Sequence, residues 1–198
     1  MKASELEVKA VVPDPDAVAR ALLLAGARPG FEGIMEDRRL DRDGELTARD
    51  EVLRVRVYRA DVNPEVQIAW KGPTRRSPEG YKLRQELEFK LLGDSSVTEL
   101  FQALGYRVVQ AIDRYVRMFT LGNALLRLEW YPRMDTLLEV EGAGPAIEAA
   151  VAASGLPRAL FLPEALAEFV ARYEARTGDH AVLALRDLQG AAPGWRLR

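Results

Sequence analysis

Apolar and charged residues alternate with a period of two in Glu5-Leu6-Glu7-Val8-Lys9. That alternation predicts a strand over 3–12 with Glu5, Glu7 and Lys9 on one face. The same period predicts strands over 32–41, 51–60, 65–71, 81–91, 107–120, 124–131 and 135–141. Turn chemistry separates them: Asp43-Gly44, Asn63-Pro64, the basic loop GPTRRSPEG over 72–80, and Gly122-Asn123. The last three strands predict an antiparallel meander. Helical spacing occurs at 17–27, behind the start signal Asp14-Pro15-Asp16 and ahead of Gly26 and Pro29-Gly30, and at 95–105, behind Ser95-Ser96. Beyond Gly142 the pattern becomes alanine-rich and amphipathic, predicting helices over 145–153 and 163–176 with proline near each start. Eight strands with few helices predict an α+β chain built on a closed or nearly closed antiparallel barrel. Residues 1–178 read as one domain, including C-terminal helices from about 144, and 179–198 as a C-terminal extension or tail.

Composition narrows the chemistry. A formal charge of −2 argues against a surface built mainly for nucleic acid or an anionic membrane, yet 29% of residues are charged. There is no cysteine, which excludes disulfides and thiolate chemistry and favours a cytoplasmic setting. No apolar run is long enough to span a membrane. The single histidine, His180, cannot form a histidine cluster, so a metal would be held by carboxylates, which suit hard ions such as Mg²⁺, Ca²⁺ or Mn²⁺.

The charged residues recur on one face of successive strands. Arg54 pairs with Arg56, Gln67 with Lys71, and Lys82 with Arg84, Glu86 and Glu88; Arg127 with Glu129 and Glu139 with Glu141 continue the series. If these faces point inward, the interior cannot be a dry core, because an uncompensated buried charge costs several kcal/mol. Arginine suits phosphate, and clustered carboxylates tolerate that anion when a divalent cation bridges them. Residue chemistry leaves two readings open: a wet tunnel for a metal–phosphate ligand, or a solvated salt-bridge network.

Five motifs, in order, resemble the CYTH family, the triphosphate tunnel metalloenzymes. They are Glu5-x-Glu7-x-Lys9, Leu53-Arg54-Val55-Arg56, Trp70-Lys71-Gly72-Pro73, Lys82-x-Arg84-x-Glu86-x-Glu88 and Leu138-Glu139-Val140-Glu141. The resemblance covers roughly 3–142 and implies an eight-stranded antiparallel β-barrel tunnel with flanking helices, a Mg²⁺ or Mn²⁺ requirement and a triphosphate substrate. Carried over by position, Glu5, Glu7, Glu139 and Glu141 are metal ligands. Lys9, Arg54, Arg56, Lys71, Lys82, Arg84 and Arg114 grip the triphosphate, with Lys9, Lys71 and Arg84 closest to catalysis. Glu86, Glu88 and Glu129 are supporting residues that hold basic neighbours or a further cation.

Three positions depart from the family pattern. Asp37-Arg38-Arg39-Leu40 puts Arg39 where a tyrosine is usual, Ile112-Asp113-Arg114 keeps only the arginine of a K-x-R pair, and Glu129 replaces an aspartate. The resemblance implies hydrolysis of tripolyphosphate or of a thiamine or nucleoside triphosphate. The alternatives are a class IV adenylyl cyclase acting on ATP and a non-catalytic polyphosphate or nucleotide binder. No nucleic-acid or membrane partner is expected, and a homodimer is left open.

Overall fold

The computed structural model describes residues 6–59, 64–76, 78, 82–92 and 96–196. Eight strands form one antiparallel sheet: β1 (Leu6–Val11), β2 (Arg28–Asp41), β3 (Val52–Arg59), β4 (Glu65–Lys71), β7 (Glu86–Leu92), β8 (Arg107–Leu121), β9 (Ala124–Trp130) and β10 (Leu137–Gly142). Their order is β1-β10-β9-β8-β2-β3-β4-β7. The predicted meander is β8-β9-β10, and β1 joins its far side with Lys9 opposite Glu139.

The alternation settles which way the faces turn. On β1, β9 and β10 the charged Glu7, Lys9, Arg127, Glu139 and Glu141 line a central cavity. Val8, Ala10, Leu126, Leu128, Leu138 and Val140 are buried on the outer side. Helices α1 (Pro15–Leu24) and α4 (Gly144–Ala153) cover that outer face, adding Val18, Ala19, Leu22, Ile147, Ala150 and Val151 to the same apolar cluster. Each fully buried Val, Leu or Ile contributes about 1.5–3 kcal/mol, so the outer layer supplies the stability that an ionic interior does not. Near the opposite edge, α3 (Val97–Ala103) packs Val97 and Phe101 over Leu40, Val55, Val57 and Val66.

Helix α1 is capped by Asp14, whose side chain accepts from the Ala17 amide at 2.9 Å. It ends at Leu24, and Pro29 and Gly30, read from the sequence as helix stops, lie instead within β2. A register shift between Pro29 and Glu32 accommodates them in the ladder with β8. After a short α2 (Glu45–Ala48), the chain enters β3.

The long strand predicted over 81–91 is broken. Its first part, β6 (Lys82–Leu83), leaves the main sheet and pairs with β5 (Arg75–Arg76) from the basic loop. Arg84 causes the break: its guanidinium donates to the Gly72 carbonyl at 2.5 Å and also to the Asp50 carbonyl, while the Gly72 amide donates to the Gln85 carbonyl at 2.9 Å. Within the basic loop, Arg75 and Arg76 therefore form one side of a short paired ribbon.

Among the described residues no ladder joins β1 to β7, so the sheet curls around the cavity without a hydrogen-bonded seam. The free edge of β1 is paired differently. Lys9 and Leu162 exchange backbone hydrogen bonds of 2.9 and 2.8 Å, clipping the segment before α5 (Leu166–Thr177) onto that edge. Within 179–198, Val182 pairs with Arg133, the Asp113 amide donates to the Leu183 carbonyl and Trp195 packs on the main cluster. These contacts hold the described part of that stretch against the sheet. No helix among the described residues is long and apolar enough to cross a membrane.

Candidate functional site

The cavity enclosed by the curled sheet has a volume of about 270 Å³, and among the described residues nine cationic and six anionic side chains line it. Strand register arranges them in rows. Asp37, Arg56, Gln67 and Lys90 follow one another across β2, β3, β4 and β7; the next row holds Arg39, Arg54, Ala69 and Glu88. Lys9, Glu139 and Arg127 make a third row across β1, β10 and β9.

Three carboxylates converge at this last row. Glu7, Glu139 and Glu141 each present an oxygen within 4.8 Å of the others. Lys9 Nζ lies 3.3 Å from Glu7 and 3.2 Å from Glu139. The Arg127 guanidinium bridges Glu139 and Glu141 through Nη2 and adds a second contact to Glu141 from Nη1 at 3.1 Å. Burial alone would pull the Lys9 ammonium down, but the Glu139 and Glu7 charges outweigh it and hold Lys9 above its ordinary value. Glu139 is held well below the usual carboxylate range, its burial overcome by Arg127 and Lys9. Glu141 is raised, by burial and by the charge of Glu139 against the pull of Arg127. Three convergent carboxylates are a donor set that could hold a hard divalent cation.

The β2–β3 wall is built on Asp37. Its carboxylate accepts from Arg56 Nε and Nη2 at 2.6 and 2.8 Å and from Arg114 Nη2 at 2.5 Å, all three residues being buried. Burial would raise this carboxyl, but the Arg56 and Arg114 guanidiniums hold it far below its ordinary value. Arg54 and Arg39 stand directly opposite each other one row away. Among the described residues neither has a carboxylate within ion-pair distance. The buried Arg54 Nε has no hydrogen-bond partner, and burial followed by the charge of Arg56 lowers the Arg54 guanidinium. Lys71 pairs with Glu86. Arg84 lines the cavity, with its guanidinium tied to Gly72 and Asp50.

Eleven residues singled out from the sequence thus meet in one cavity: Glu7, Lys9, Arg54, Arg56, Lys71, Arg84, Glu86, Glu88, Arg114, Glu139 and Glu141. Glu129 lies beneath its wall, accepting from the Tyr131 hydroxyl at 2.6 Å and flanked by Arg114 and Arg127 at 3.5 and 3.6 Å. It stands outside the carboxylate trio. Glu5 falls outside the described residues; Lys82 has its backbone on β6, and its side chain is likewise outside them. The sequence reading passed over Asp37, Arg39 and Arg127 as site residues, and all three line the cavity.

No protein-family model matches the chain, and no curated protein does. Solved structures do. A candidate adenylate cyclase from Vibrio parahaemolyticus aligns with a TM-score of 0.68 and 17% identity, covering 86% of this chain and 99% of that one. The PH1012 protein of Pyrococcus horikoshii OT3 aligns at 0.65 and 22%, covering 83% and 98%. A candidate adenylyl cyclase from Hippeastrum, described as having a dominant triphosphatase activity, aligns at 0.60 and 16%, covering 85% and 96%. The chain has the CYTH fold.

On the CYTH fold, the departures seen in the sequence acquire physical reasons. Ile112 cannot offer an ammonium; it packs with Tyr131, Leu137 and Phe169 of α5 in a small apolar cluster joined by Leu166 and Leu183. One wall of the cavity is therefore apolar where the family pattern has a lysine. Arg39 puts a cation where that pattern has a tyrosine, and it stands exposed on the cavity lining.

Proposed function

We propose that this chain is a divalent-metal-dependent enzyme that hydrolyses a triphosphate inside its charged cavity. The observation that carries the reading is the facing pair Arg39 and Arg54, two guanidiniums without an ion-paired carboxylate among the described residues, lining the same cavity as the Glu7, Glu139 and Glu141 trio. Like charges held opposite one another across a ladder are unfavourable unless an anion joins them, and phosphate oxygens match the guanidinium fork. Arg54, Arg56, Arg114 and Lys71 supply the grip on the phosphates, and Lys9 is ion-paired with Glu7 and Glu139. Asp37 keeps Arg56 and Arg114 aimed without occupying Arg54. Mg²⁺ or Mn²⁺ bound by the trio supplies neutralisation of phosphoryl oxygens as charge shifts in the transition state.

Conversion of ATP to cyclic AMP is the second reading, favoured by the fold shared with the Vibrio protein. One assay separates them. The chain is incubated with tripolyphosphate, thiamine triphosphate or ATP plus Mg²⁺ or Mn²⁺, and orthophosphate, pyrophosphate and cyclic AMP are measured. Orthophosphate release supports the triphosphatase; cyclic AMP with pyrophosphate replaces it with the cyclase; binding without turnover leaves only a sensor. Arg54→Ala is expected to weaken triphosphate binding more than tenfold by calorimetry, and unchanged binding would overturn the assignment of this cavity.

A further inference from the structure

Arg127 holds the place in the carboxylate trio that a cation would compete for. It projects from β9 beside Glu139, is 6% exposed, and bridges Glu139 and Glu141. Both oxygens of Glu141 are engaged by its guanidinium. The two oxygens of Glu139 are divided between Arg127 and Lys9. A divalent ion would draw on the same oxygens and adds positive charge beside two cations already there. Binding at Glu141 is therefore opposed by charge while Arg127 stays in place and favoured as it loosens. The freed guanidinium then keeps only Glu129, 3.6 Å from its Nε, as a carboxylate neighbour; that Nε is buried without a hydrogen-bond partner, and both Nη groups lose their acceptors.

We propose that Arg127 is an internal counter-cation that competes with the divalent metal for Glu139 and Glu141 and gives them up when an oxyanion takes its guanidinium. Metal and anion then load together. This rests on the reading of the trio as a cation site and of the cavity as an anion site. Linkage makes the effect reciprocal: whatever an anion adds to metal affinity, the metal adds to anion affinity.

The test uses Mn²⁺ alone, with free ion counted by electron paramagnetic resonance, on the full chain and its variants. Arg127→Gln is expected to bind Mn²⁺ at least tenfold tighter than the parent. Arg127→Lys, which keeps the charge but cannot span two carboxylates, is expected to bind several-fold tighter and carries the test if the glutamine variant does not fold. In sodium sulfate the parent is expected to bind Mn²⁺ more tightly than in sodium chloride of equal ionic strength, and Arg127→Gln is expected to lose that difference. Glu139→Gln, which weakens Mn²⁺ binding if the ion sits in the trio, locates the site. Glu139-dependent binding that is equal or weaker in both Arg127 variants overturns this proposal and leaves the cation site standing. Mn²⁺ binding that is absent, or indifferent to Glu139, overturns both.

Discussion

The Asp37 carboxylate accepts from Arg56 and Arg114 at once, inside a wall from which water is largely excluded. Removing one partner of such a group leaves buried charge uncompensated, typically at about 3–5 kcal/mol. Asp37→Asn is therefore expected to lose several kcal/mol at pH 7, read from urea midpoints. The pH dependence has a definite sign. A carboxyl held below its unfolded value of about 3.9 stabilises the fold above that pH and loses the contribution as pH falls further. The parent should weaken steeply below about pH 4, and Asp37→Asn should show a flatter acid limb; parallel limbs would mean that Asp37 is not the ionised anchor. Alternation made Glu139, Glu141, Arg54 and Arg56 legible in the sequence because each flanks an apolar neighbour that marks the opposite face. Asp37 and Arg39 sit in the run Glu36-Asp37-Arg38-Arg39, charged on both faces, where parity carries no signal. Arg127 was visible as a charged residue, but its seat between Glu139 and Glu141 depends on cross-strand register, which one strand cannot reveal.

Elements hold the cavity in shape from outside. Helix α4 presents the fully buried Ile147 to the outer faces of β9 and β10, the strands that carry Arg127 and the two carboxylates. Ile147→Ala is expected to cost about 2–4 kcal/mol through lost burial and the space left behind. Mn²⁺ affinity of the folded variant should change little, since no polar contact of the trio is touched. Denaturant melts and a metal titration check both halves. The eight main strands, the meander and the two alanine-rich helices were readable because each sustains its period of two or 3.6 over several residues. The break at Arg84-Gln85 was not, because the alternation of Lys82, Arg84, Glu86 and Glu88 runs straight through it. What interrupts the strand is a set of hydrogen bonds to Gly72 and Asp50, residues distant in sequence.

At the scale of the whole molecule, closure is shared among different parts. The sheet provides most of the wall, Leu162 covers the edge of β1 at Lys9, and α5 sets Phe169 against Ile112, Tyr131 and Leu137. Phe169→Ala is expected to destabilise the chain by about 3–5 kcal/mol. Amide exchange should quicken around Ile112 and Leu183 before it does in α4, as mass spectrometry would show. An eight-stranded antiparallel sheet was legible from strand count. Closure into a barrel was expected too, but among the described residues no ladder joins β1 to β7, and the edge of β1 is paired by Leu162, which belongs to a stretch with no strand periodicity.

The pairing of β1 with β10 has a consequence for how the molecule comes into being. Glu7 is made well before Glu139 and Glu141, which emerge only when seven of the eight main strands are already made. Such distant pairings close slowly, because chain entropy must be overcome before the contacts reward it. The trio cannot exist before β10 is made, so Arg39, Arg54 and Arg56 are in place on the nascent chain before the carboxylates of β10 that complete the site. Capture of Mn²⁺ during refolding would then mark the last event in assembly, a clock set by the joining of the first strand to the final one.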